Sequence, residues 1–396
     1  MPAKGVLVAV TADVVIAGGG VIGTAIAWRA AMAGLDVVLA DPAQGDAASL
    51  VAAGMLAPVS EALFGEGALL RVNLLALARF PSFAAELEQV TGHRVGLRRE
   101  GTLAVAYDAG DYAALMRLTA FRRSAGLDAE ELDSRGCRKL ESFLTPDVHG
   151  GVLFPGDWSV DNRRYAAALR EAAAAAGVRV VRDRVTEVLT GAGADGTDGR
   201  ARGVALADGG EIGSAQVVVA AGSWSAAVDG LPAELRSAVR PVKGQLLRLR
   251  HPDGMPPVLT HTIRASVRGA DVYLVPRADG EVIVGATQEE RGQDLTVTAG
   301  AVHDLLHDAM SVLPVTSELI LAETCAGLRP GTADNGPVVG GYGVEGLLMA
   351  TGHYRNGILM SPVTADAIVA CLTGQPPAAE WEPFTPERFT RGGEAR

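Results

Sequence analysis

Cysteine is scarce in this chain of 396 residues. Its three cysteines, Cys137, Cys325 and Cys371, lie far apart and form no CxxC pair. This spacing argues against a disulfide framework and against a zinc site, so we expect no bound metal ion. Thiols used in this way are typical of a reducing compartment, and we expect a cytoplasmic protein.

Positive charge is also scarce. The chain carries 35 Lys and Arg against 46 Asp and Glu, which gives a net charge of −11. A protein that binds nucleic acid electrostatically needs concentrated Lys and Arg, so we expect no nucleic-acid partner. An anionic substrate is still allowed, because a local Arg cluster can reverse the field inside one pocket.

Long uninterrupted apolar runs are missing as well. The apolar stretch 14–40 is broken by Arg29 and Asp36, and the N-terminus lacks the apolar core of a signal peptide. A membrane-spanning helix needs about 20 consecutive apolar residues. We therefore expect a soluble protein with no membrane partner.

Glycine, by contrast, is abundant at 49 residues, and one cluster of it stands in an informative context. Residues 13–17 predict a buried strand, 21–33 a helix and 36–40 a second strand. Gly18, Gly20 and Gly23 form a GxGxxG motif between the first strand and the helix. Gly18 permits the turn, Gly20 lets a pyrophosphate approach the backbone, and Gly23 lets the helix pack closely on the strand.

Asp41 follows the second strand of this unit. A carboxylate there can accept hydrogen bonds from ribose hydroxyls, while the helix N-terminus offers N–H donors to phosphates. A Gly-rich turn alone occurs in many α/β proteins, but strand, turn, helix, strand and acid together predict a dinucleotide site. These residues leave open whether the dinucleotide is FAD or NAD.

The rest of the chain alternates between α/β and β-rich segments. Helices are predicted at 66–91, 109–125, 162–176 and 358–372, and strands at 102–107, 179–188, 202–206 and 217–221. Short β-type runs between 240 and 285 predict an antiparallel sheet, and the Gly- and Asp-rich segment 191–199 predicts a surface hairpin tip. A chain of this length predicts two domains.

Four segments carry a resemblance to a known family. They are 48–58 (ASLVAAGMLAP), 217–224 (VVVAAGSW), 323–334 (ETCAGLRPGTAD) and 352–359 (GHYRNGIL). Together they resemble the FAD-dependent D-amino-acid oxidase family, and most closely its glycine oxidase branch, over about residues 13–374. The resemblance implies FAD, bound non-covalently, and a small amino-acid substrate oxidised with O₂. It also implies a link to thiamine biosynthesis and a homotetramer.

The resemblance also implies a fold and a set of flavin contacts. The expected fold is α/β, with a discontinuous Rossmann-type FAD-binding domain (1–90, 150–225 and 330–396) and an α+β substrate domain with an antiparallel sheet (91–149 and 226–329). The expected cofactor-binding residues are Gly18, Gly20, Val21, Ile22, Gly23, Asp41, Pro42, Ser49, Ala53, Gly54, Met55, Val185, Gly222, His353, Tyr354, Arg355, Asn356, Gly357, Ile358 and Leu359.

Substrate contacts are implied in the same way. Arg329 is expected to clamp the substrate carboxylate, because its planar fork suits bidentate pairing. Arg355 is the expected second anchor and Tyr273 a catalytic, substrate-facing residue. Gln288, another expected substrate contact, stands where the glycine oxidase branch has Met, and Asp271 stands where that branch has His.

Three residues near the flavin segments carry further hypotheses. Asn356 is expected to cap the helix that begins near residue 357, whose positive end would stabilise the reduced flavin. His353 is interpreted either as a contact to the flavin ring or as a turn residue. Cys325 occupies a segment comparable to the one in which sarcosine oxidases tether FAD, but it also fits as a small packing residue.

Four functions are therefore left open by the sequence. The first is an amino-acid oxidase of the glycine oxidase type, and the second is a related D-amino-acid or sarcosine dehydrogenase or oxidase with another substrate or acceptor. The third is a non-catalytic flavin-binding protein, which would have no need of Arg329, Arg355 and Tyr273. The fourth is an NAD dehydrogenase, which gives no reason for the 48–58 segment.

Overall fold

The computed structural model describes residues 10–42, 48–191 and 199–389. The strands in these residues, in chain order, are β1 (Val10–Ala17), β2 (Val37–Ala40), β3 (Met55–Leu56), β4 (Thr102–Ala106), β5 (Glu130–Asp133), β6 (Gly150–Phe154), β7 (Trp158–Ser159), β8 (Arg179–Val181), β9 (Val185–Thr190), β10 (Ala201–Leu206), β11 (Glu211–Val219), β12 (Arg240–Arg250), β13 (Thr262–Val267), β14 (Ala270–Pro276), β15 (Glu281–Gly285), β16 (Ile320–Gly331), β17 (Val338–Gly341) and β18 (Leu347–Thr351).

The α-helices are α1 (Val21–Met32), α2 (Ala48–Val51), α3 (Gly67–Thr91), α4 (Ala109–Ser124), α5 (Ser134–Leu140), α6 (Asn162–Ala175), α7 (Ala233–Ala238), α8 (Ala299–Val312) and α9 (Gly357–Leu372). The predictions for the N-terminal segment before residue 10 and for most of the 191–199 loop fall outside the described residues.

The first sheet has the strand order β17-β18-β11-β1-β2-β8, and β9 and β10 extend it from β11. Its centre is parallel, because β1 pairs in parallel with both β2 and β11. Side chains of β1 alternate between the two faces: Val14 and Ile16 pack under helices α1, α3, α6 and α9, while Val15 and Ala17 belong to the core on the other face. Burial on both faces explains why this strand reads as a continuous apolar run.

The second sheet has the order β16-β12-β15-β14-β13-β4-β6-β5. Its pairs are antiparallel except β4 with β13. Helix α8 covers part of it with Leu305 and Ala309. A mixed α/β sheet beside an antiparallel sheet confirms the predicted fold class. Strand β6 lies at the start of the segment 150–225 predicted for the FAD-binding domain, but it pairs with β4 and β5 in the second sheet.

Helix α3 is, among the described helices, the one long and apolar enough by length and composition to cross a membrane. Within its most apolar window, 44% of the residues are buried inside the fold. Phe80 and Phe83 are fully buried and contact Tyr165 of α6. These contacts are those of a core helix, and they account for its apolar composition.

The predicted strand 179–188 is wrong as a single element. The structure divides it into β8, which pairs with β2, and β9, which pairs with β10. The residues between the two strands are Arg182, Asp183 and Arg184, and the Asp183 carboxylate accepts hydrogen bonds from the N–H groups of Arg184 and Asp208. A polar turn of this kind ends one ladder and starts another.

Candidate active site

The backbone packs so closely around the turn between β1 and α1 that two of its positions leave no room for a Cβ. Gly18 has φ +107, and a Cβ there would lie 2.6 Å from the carbonyl oxygen of Ala220. A Cβ on Gly23 would overlap the carbonyl oxygen of Gly18, so the helix reaches its present distance from β1 because this residue is glycine. The roles predicted for these two glycines therefore match their surroundings.

Asp41 lies at the end of β2, directly beside this turn. A Cβ on Gly19 would lie 2.6 Å from an Asp41 carboxylate oxygen, so a larger residue there would displace the Asp41 side chain. Within the described residues the Asp41 carboxylate makes no hydrogen bond or ion pair. We call the turn glycines Gly18, Gly19, Gly20 and Gly23 the glycine cradle. An unpartnered carboxylate next to this cradle fits the ribose hydroxyls of an ADP-containing cofactor.

The loop from α2 to β3 forms the adjoining wall. Gly54 has φ +72, and a Cβ there would overlap the Val160 carbonyl oxygen. Buried Arg277 donates hydrogen bonds from Nη2 to the Ala53 oxygen (2.5 Å) and from Nη1 to the Val160 oxygen (2.9 Å). Burial lowers the pKa of Arg277 to about 10, so it remains a cation. This side chain fixes the loop against the β7–α6 connection.

One cavity of about 660 Å³ joins these elements to the second sheet. Its volume is in the range of small-molecule and cofactor sites. Most residues predicted to bind the cofactor line it: Gly18, Gly20, Val21, Ile22, Asp41, Pro42, Ser49, Ala53, Gly54, Met55, Val185, Gly222, His353, Tyr354, Arg355, Gly357 and Ile358. The predicted substrate residues Tyr273, Gln288 and Arg329 line it too.

Three predicted cofactor residues do not line this cavity. Gly23 lies at the crossing of α1 and β1, and the Leu359 side chain is fully buried in the helical core. Asn356 lines a much smaller neighbouring pocket. Asn356 does occupy the N-cap position of α9, but its side chain makes no capping hydrogen bond, so the predicted side-chain cap is wrong. Gly357 and Ile358 still bring the start of α9 to the cavity wall.

His353 is almost completely buried at the cavity wall. Its Nε2 lies 2.9 Å from the hydroxyl oxygen of Thr364, in α9. Burial lowers the pKa of His353 to about 3, so the imidazole is neutral at pH 7. His353 is thus packed inside the fold and also lines the cavity, so its position is compatible with both interpretations.

Arg329 and Tyr273 stand side by side at the substrate end, which we define as the part of the cavity formed by the second sheet. Arg329 donates from Nη1 to the carbonyl oxygen of Thr287 at 3.1 Å, and its guanidinium lies flat over Gly244. Tyr273 covers Gly285 in the same way. Burial raises the pKa of the Tyr273 phenol, and the Arg329 charge opposes that rise.

Gly244 and Gly285 have no side chain, and the space this leaves on the sheet is occupied by Arg329 and Tyr273. A Cβ on Gly244 would lie 2.6 Å from the Arg329 Cζ. We expect Gly244→Ala to push the guanidinium off its place and to raise KM for a carboxylate-bearing substrate by about 10- to 100-fold, the equivalent of about 1–3 kcal/mol of overpacking. Steady-state kinetics on the flavin-loaded variant would measure it.

The matched control for this prediction is Gly341→Ala in β17. A Cβ there meets its nearest neighbours at 3.4 and 3.5 Å, which is ordinary contact. We expect wild-type KM from the control. An unchanged KM in Gly244→Ala would mean that the position of the Arg329 guanidinium does not matter for substrate binding.

Cys325 does not line the cavity. It pairs with Leu246 in the β12–β16 ladder and packs beside Val51 and Ala53. Burial and then the charge of Glu323 raise the pKa of the thiol, which disfavours the nucleophilic thiolate. Its surroundings are those of a packing residue.

Two charged residues at the substrate end were not predicted from the sequence. Glu61 and Arg264 line the cavity and form an ion pair of 2.6 Å. Glu61 follows the predicted loop 48–58 by three residues, which could have drawn attention to it. Gly244 and Thr287 were also missed; a glycine inside a strand pattern is a signal for close approach.

Comparisons with known proteins agree with this geometry. The family model described as FAD dependent oxidoreductase (DAO) matches residues 13–371. The chain is 33% identical to a glycine oxidase of Geobacillus kaustophilus (strain HTA426) over 376 residues, covering 94% of this chain and 96% of that protein. The crystal structure of glycine oxidase from Geobacillus kaustophilus superimposes with a TM-score of 0.84 at 32% identity, covering 95% of this chain and 98% of that one.

A further relative is the bifunctional protein ThiO/ThiG of Synechocystis sp. It is 35% identical over 384 residues, which covers 96% of this chain but 54% of that protein. This chain thus spans about half the length of the bifunctional relatives that it matches. The match of the family model over almost the whole described chain, together with the glycine cradle and Asp41, makes this chain a member of the DAO family of FAD-dependent oxidoreductases.

Proposed function

We propose that this protein catalyses the FAD-dependent oxidative deamination of glycine or another small amine or D-amino acid. The substrate becomes an imine and O₂ is reduced to H₂O₂. The observation that carries the proposal is the Arg329 guanidinium, held flat beside Tyr273 at the substrate end of a cavity that also contains the glycine cradle. A fixed guanidinium fork is suited to a carboxylate.

The chain's own residues would bind and orient the substrate. Bound FAD supplies the acceptor for the hydride that leaves the substrate Cα. Arg329 would pair with the carboxylate, and the phenolic O–H of Tyr273 would donate a hydrogen bond to the same group. Arg355 is exposed at the cavity rim and lies over the Tyr354 ring, so it would act as the second anchor. Positioning of this kind is the main contribution expected of the protein.

The cofactor contacts are also part of the proposal. Gly18, Gly20 and the start of α1 would hold the pyrophosphate, Asp41 the ribose, and the Ala53–Gly54–Met55 backbone the flavin ring. We assign the segments 1–90, 150–225 and 330–396 to a cofactor domain, with the exception of β6, which pairs within the second sheet, and 91–149 and 226–329 to a substrate domain. The position of Cys325 off the cavity supports non-covalent binding.

The name of the bifunctional ThiO/ThiG relatives supports a place for the product in thiamine thiazole synthesis. An imine, or the glyoxylate and ammonia formed on its hydrolysis, would then be supplied to that step. We also propose a cytoplasmic homotetramer with no nucleic-acid or membrane partner.

Two polar residues favour a second candidate, the same oxidation of a different small amine. Gln288 and Asp271 line the cavity and are exposed at its rim, where the glycine oxidase branch is expected to have Met and His. Polar walls there favour a substrate with a further polar group. The second candidate is thus a related D-amino-acid or sarcosine dehydrogenase or oxidase with another substrate or acceptor.

One experiment separates these candidates. The flavin-loaded protein is mixed without O₂ with glycine, sarcosine, D-alanine and L-alanine, and the flavin absorbance is followed. We expect bleaching by glycine or sarcosine and H₂O₂ release when air is admitted. Bleaching without peroxide, but with reduction of an added dye, would favour a dehydrogenase. A flavin that none of these compounds bleaches would contradict the proposed function.

A further inference from the structure

An ion pair that the proposed reaction does not use lies at the substrate end of the cavity. Arg264, in β13, contacts Glu61 through Nη1 and Oε1 at 2.6 Å. Both residues line the cavity, and the exposed fractions of their side chains are 26% and 9%. Arg264 is paired in register with Tyr273 of β14, so it stands next to the expected substrate contact on the same sheet.

The loop that carries Glu61 is held in place by buried charges behind it. Asp157 is fully buried and accepts hydrogen bonds from the N–H groups of Val59 (2.9 Å) and Ser60 (3.1 Å). Arg122, also buried, donates a hydrogen bond to the Ser60 carbonyl oxygen. Burial raises the pKa of Asp157 to about 6, although these hydrogen bonds oppose the rise. Glu61 is therefore placed by the fold and is not a mobile surface carboxylate.

Several further groups face the pair from the elements around it. They are Arg122 in α4, Asp157 in the turn before β7, Asp271 and Tyr273 in β14, Arg329 in β16, Arg355 before α9 and Glu66 before α3. Burial lowers the pKa of Arg264, but the charge of Glu61 and its hydrogen bond more than offset this, so the net direction is upward. Arg264 is thus a permanent cation.

The chemistry of amine oxidation makes this charge balance important. A small amino acid arrives as an ammonium ion, which must give its proton to water or buffer before its Cα–H bond breaks and the electron pair leaves as hydride. A carboxylate beside the amine stabilises the ammonium form and raises its pKa, whereas a cation lowers it. Glu61 without a partner would therefore retain the substrate in its unreactive form.

We propose that Arg264 is a positioning residue that neutralises Glu61, so that the substrate end of the cavity allows the bound amine to lose its proton near neutral pH. The inference rests on the proposed function, because it needs an amine substrate. It assigns Arg264 and Glu61 to the control of the substrate's protonation state, while Arg329 binds the carboxylate.

The test is the pH dependence of the rate of flavin reduction at saturating substrate, for the amine that the wild type oxidises best, because this rate reports ionisation in the enzyme–substrate complex. We expect Arg264→Gln to move the acidic limb to higher pH by about 1 unit, because the unpaired Glu61 favours the ammonium ion. Glu61→Gln should move it to lower pH, because the unpaired cation favours the free amine. The double variant Arg264→Gln/Glu61→Gln should return close to the wild-type profile, and Arg264→Lys should restore most of it.

The opposite signs are what a merely structural defect would not produce. Arg123→Gln is the matched control, because Arg123 also forms a 2.6 Å pair, with Glu131, but neither residue lines the cavity. Flavin content per chain checks that each variant is folded. If Arg264→Gln does not fold, the downward shift in Glu61→Gln still decides the matter.

The failures can be told apart. A wild type that is active on an amine, combined with variants whose acidic limbs do not move or move in the same direction, would overturn the role of Arg264 and leave the proposed function intact. A wild type whose flavin is reduced by none of the amines would overturn both.

Discussion

Arg329→Met is expected to raise KM for an amino-acid substrate by at least about 30-fold, with a smaller change in kcat. Removal of one partner from a buried, hydrogen-bonded charge pair costs about 2–5 kcal/mol, and each 1.4 kcal/mol is a factor of about ten. The loss falls on KM because the carboxylate does not change during the reaction and is bound alike in the ground and transition states. Steady-state kinetics at saturating O₂ would measure the two constants separately.

Two comparisons make this prediction specific. Arg329→Lys keeps the positive charge but loses the planar fork that donates to Thr287 and spans Gly244, so it should recover only part of the affinity. Arg355→Met should have a smaller effect, because Arg355 is exposed at the rim. Oxidation of a simple amine without a carboxylate should be the same in wild type and Arg329→Met. An equal rise in KM for amines with and without a carboxylate would contradict the role of Arg329 in binding the carboxylate.

The first βαβ unit could be predicted to within a few residues because its signals are local. Val14 to Ala17 are all buried, and the glycines that follow each meet a backbone or side-chain atom where a Cβ would stand. Apolar content, turn chemistry and helix start thus agree over one short stretch. The sheet order could not be read in this way, because the neighbour of β1 is β11, whose paired residues lie 202 positions further on (Val10 with Ile212).

The substrate end shows the same limit more clearly. Glu61 and Arg264 are separated by 203 positions in the chain, so their pairing depends on the completed fold. Arg329 and Tyr273 were reachable only through the resemblance of their segments to a known family. The missing side-chain cap at Asn356 has a different cause, since its sequence is suitable for a cap but its backbone, with φ −101 and ψ 12, does not adopt the extended form that caps favour.

Gly23→Ala is expected to yield a protein that folds but binds flavin poorly. The added methyl group would overlap the Gly18 carbonyl oxygen, and the nearest atom outside Gly18 is the Ala220 Cβ at 3.3 Å. Neither can retreat easily, since Gly18 is in the turn and Ala220 follows β11 in the centre of the sheet. Helix α1 must therefore shift away from β1, and its first N–H groups must leave the place where a pyrophosphate would lie.

The size of the effect follows from the cost of overpacking. About 1–3 kcal/mol of strain that is relieved only by moving α1 corresponds to a loss of about 10- to 100-fold in FAD affinity. Flavin retained per chain after purification, and the dissociation constant from titration of the apoprotein, would measure it. Circular dichroism and thermal unfolding of the apoprotein would show that the fold survives.

Gly300→Ala gives a matched control within the first turn of α8. A Cβ there meets nothing within 4 Å, so the substitution adds the same methyl group to a helix without any contact. We expect full flavin content and slightly higher thermal stability, because alanine is a better helix former than glycine. Full flavin retention by both variants would contradict the proposed role of Gly23 in cofactor binding. Loss in Gly23→Ala alone would mean that the approach of α1 to β1, fixed by one missing methyl group, is what holds the cofactor's phosphates.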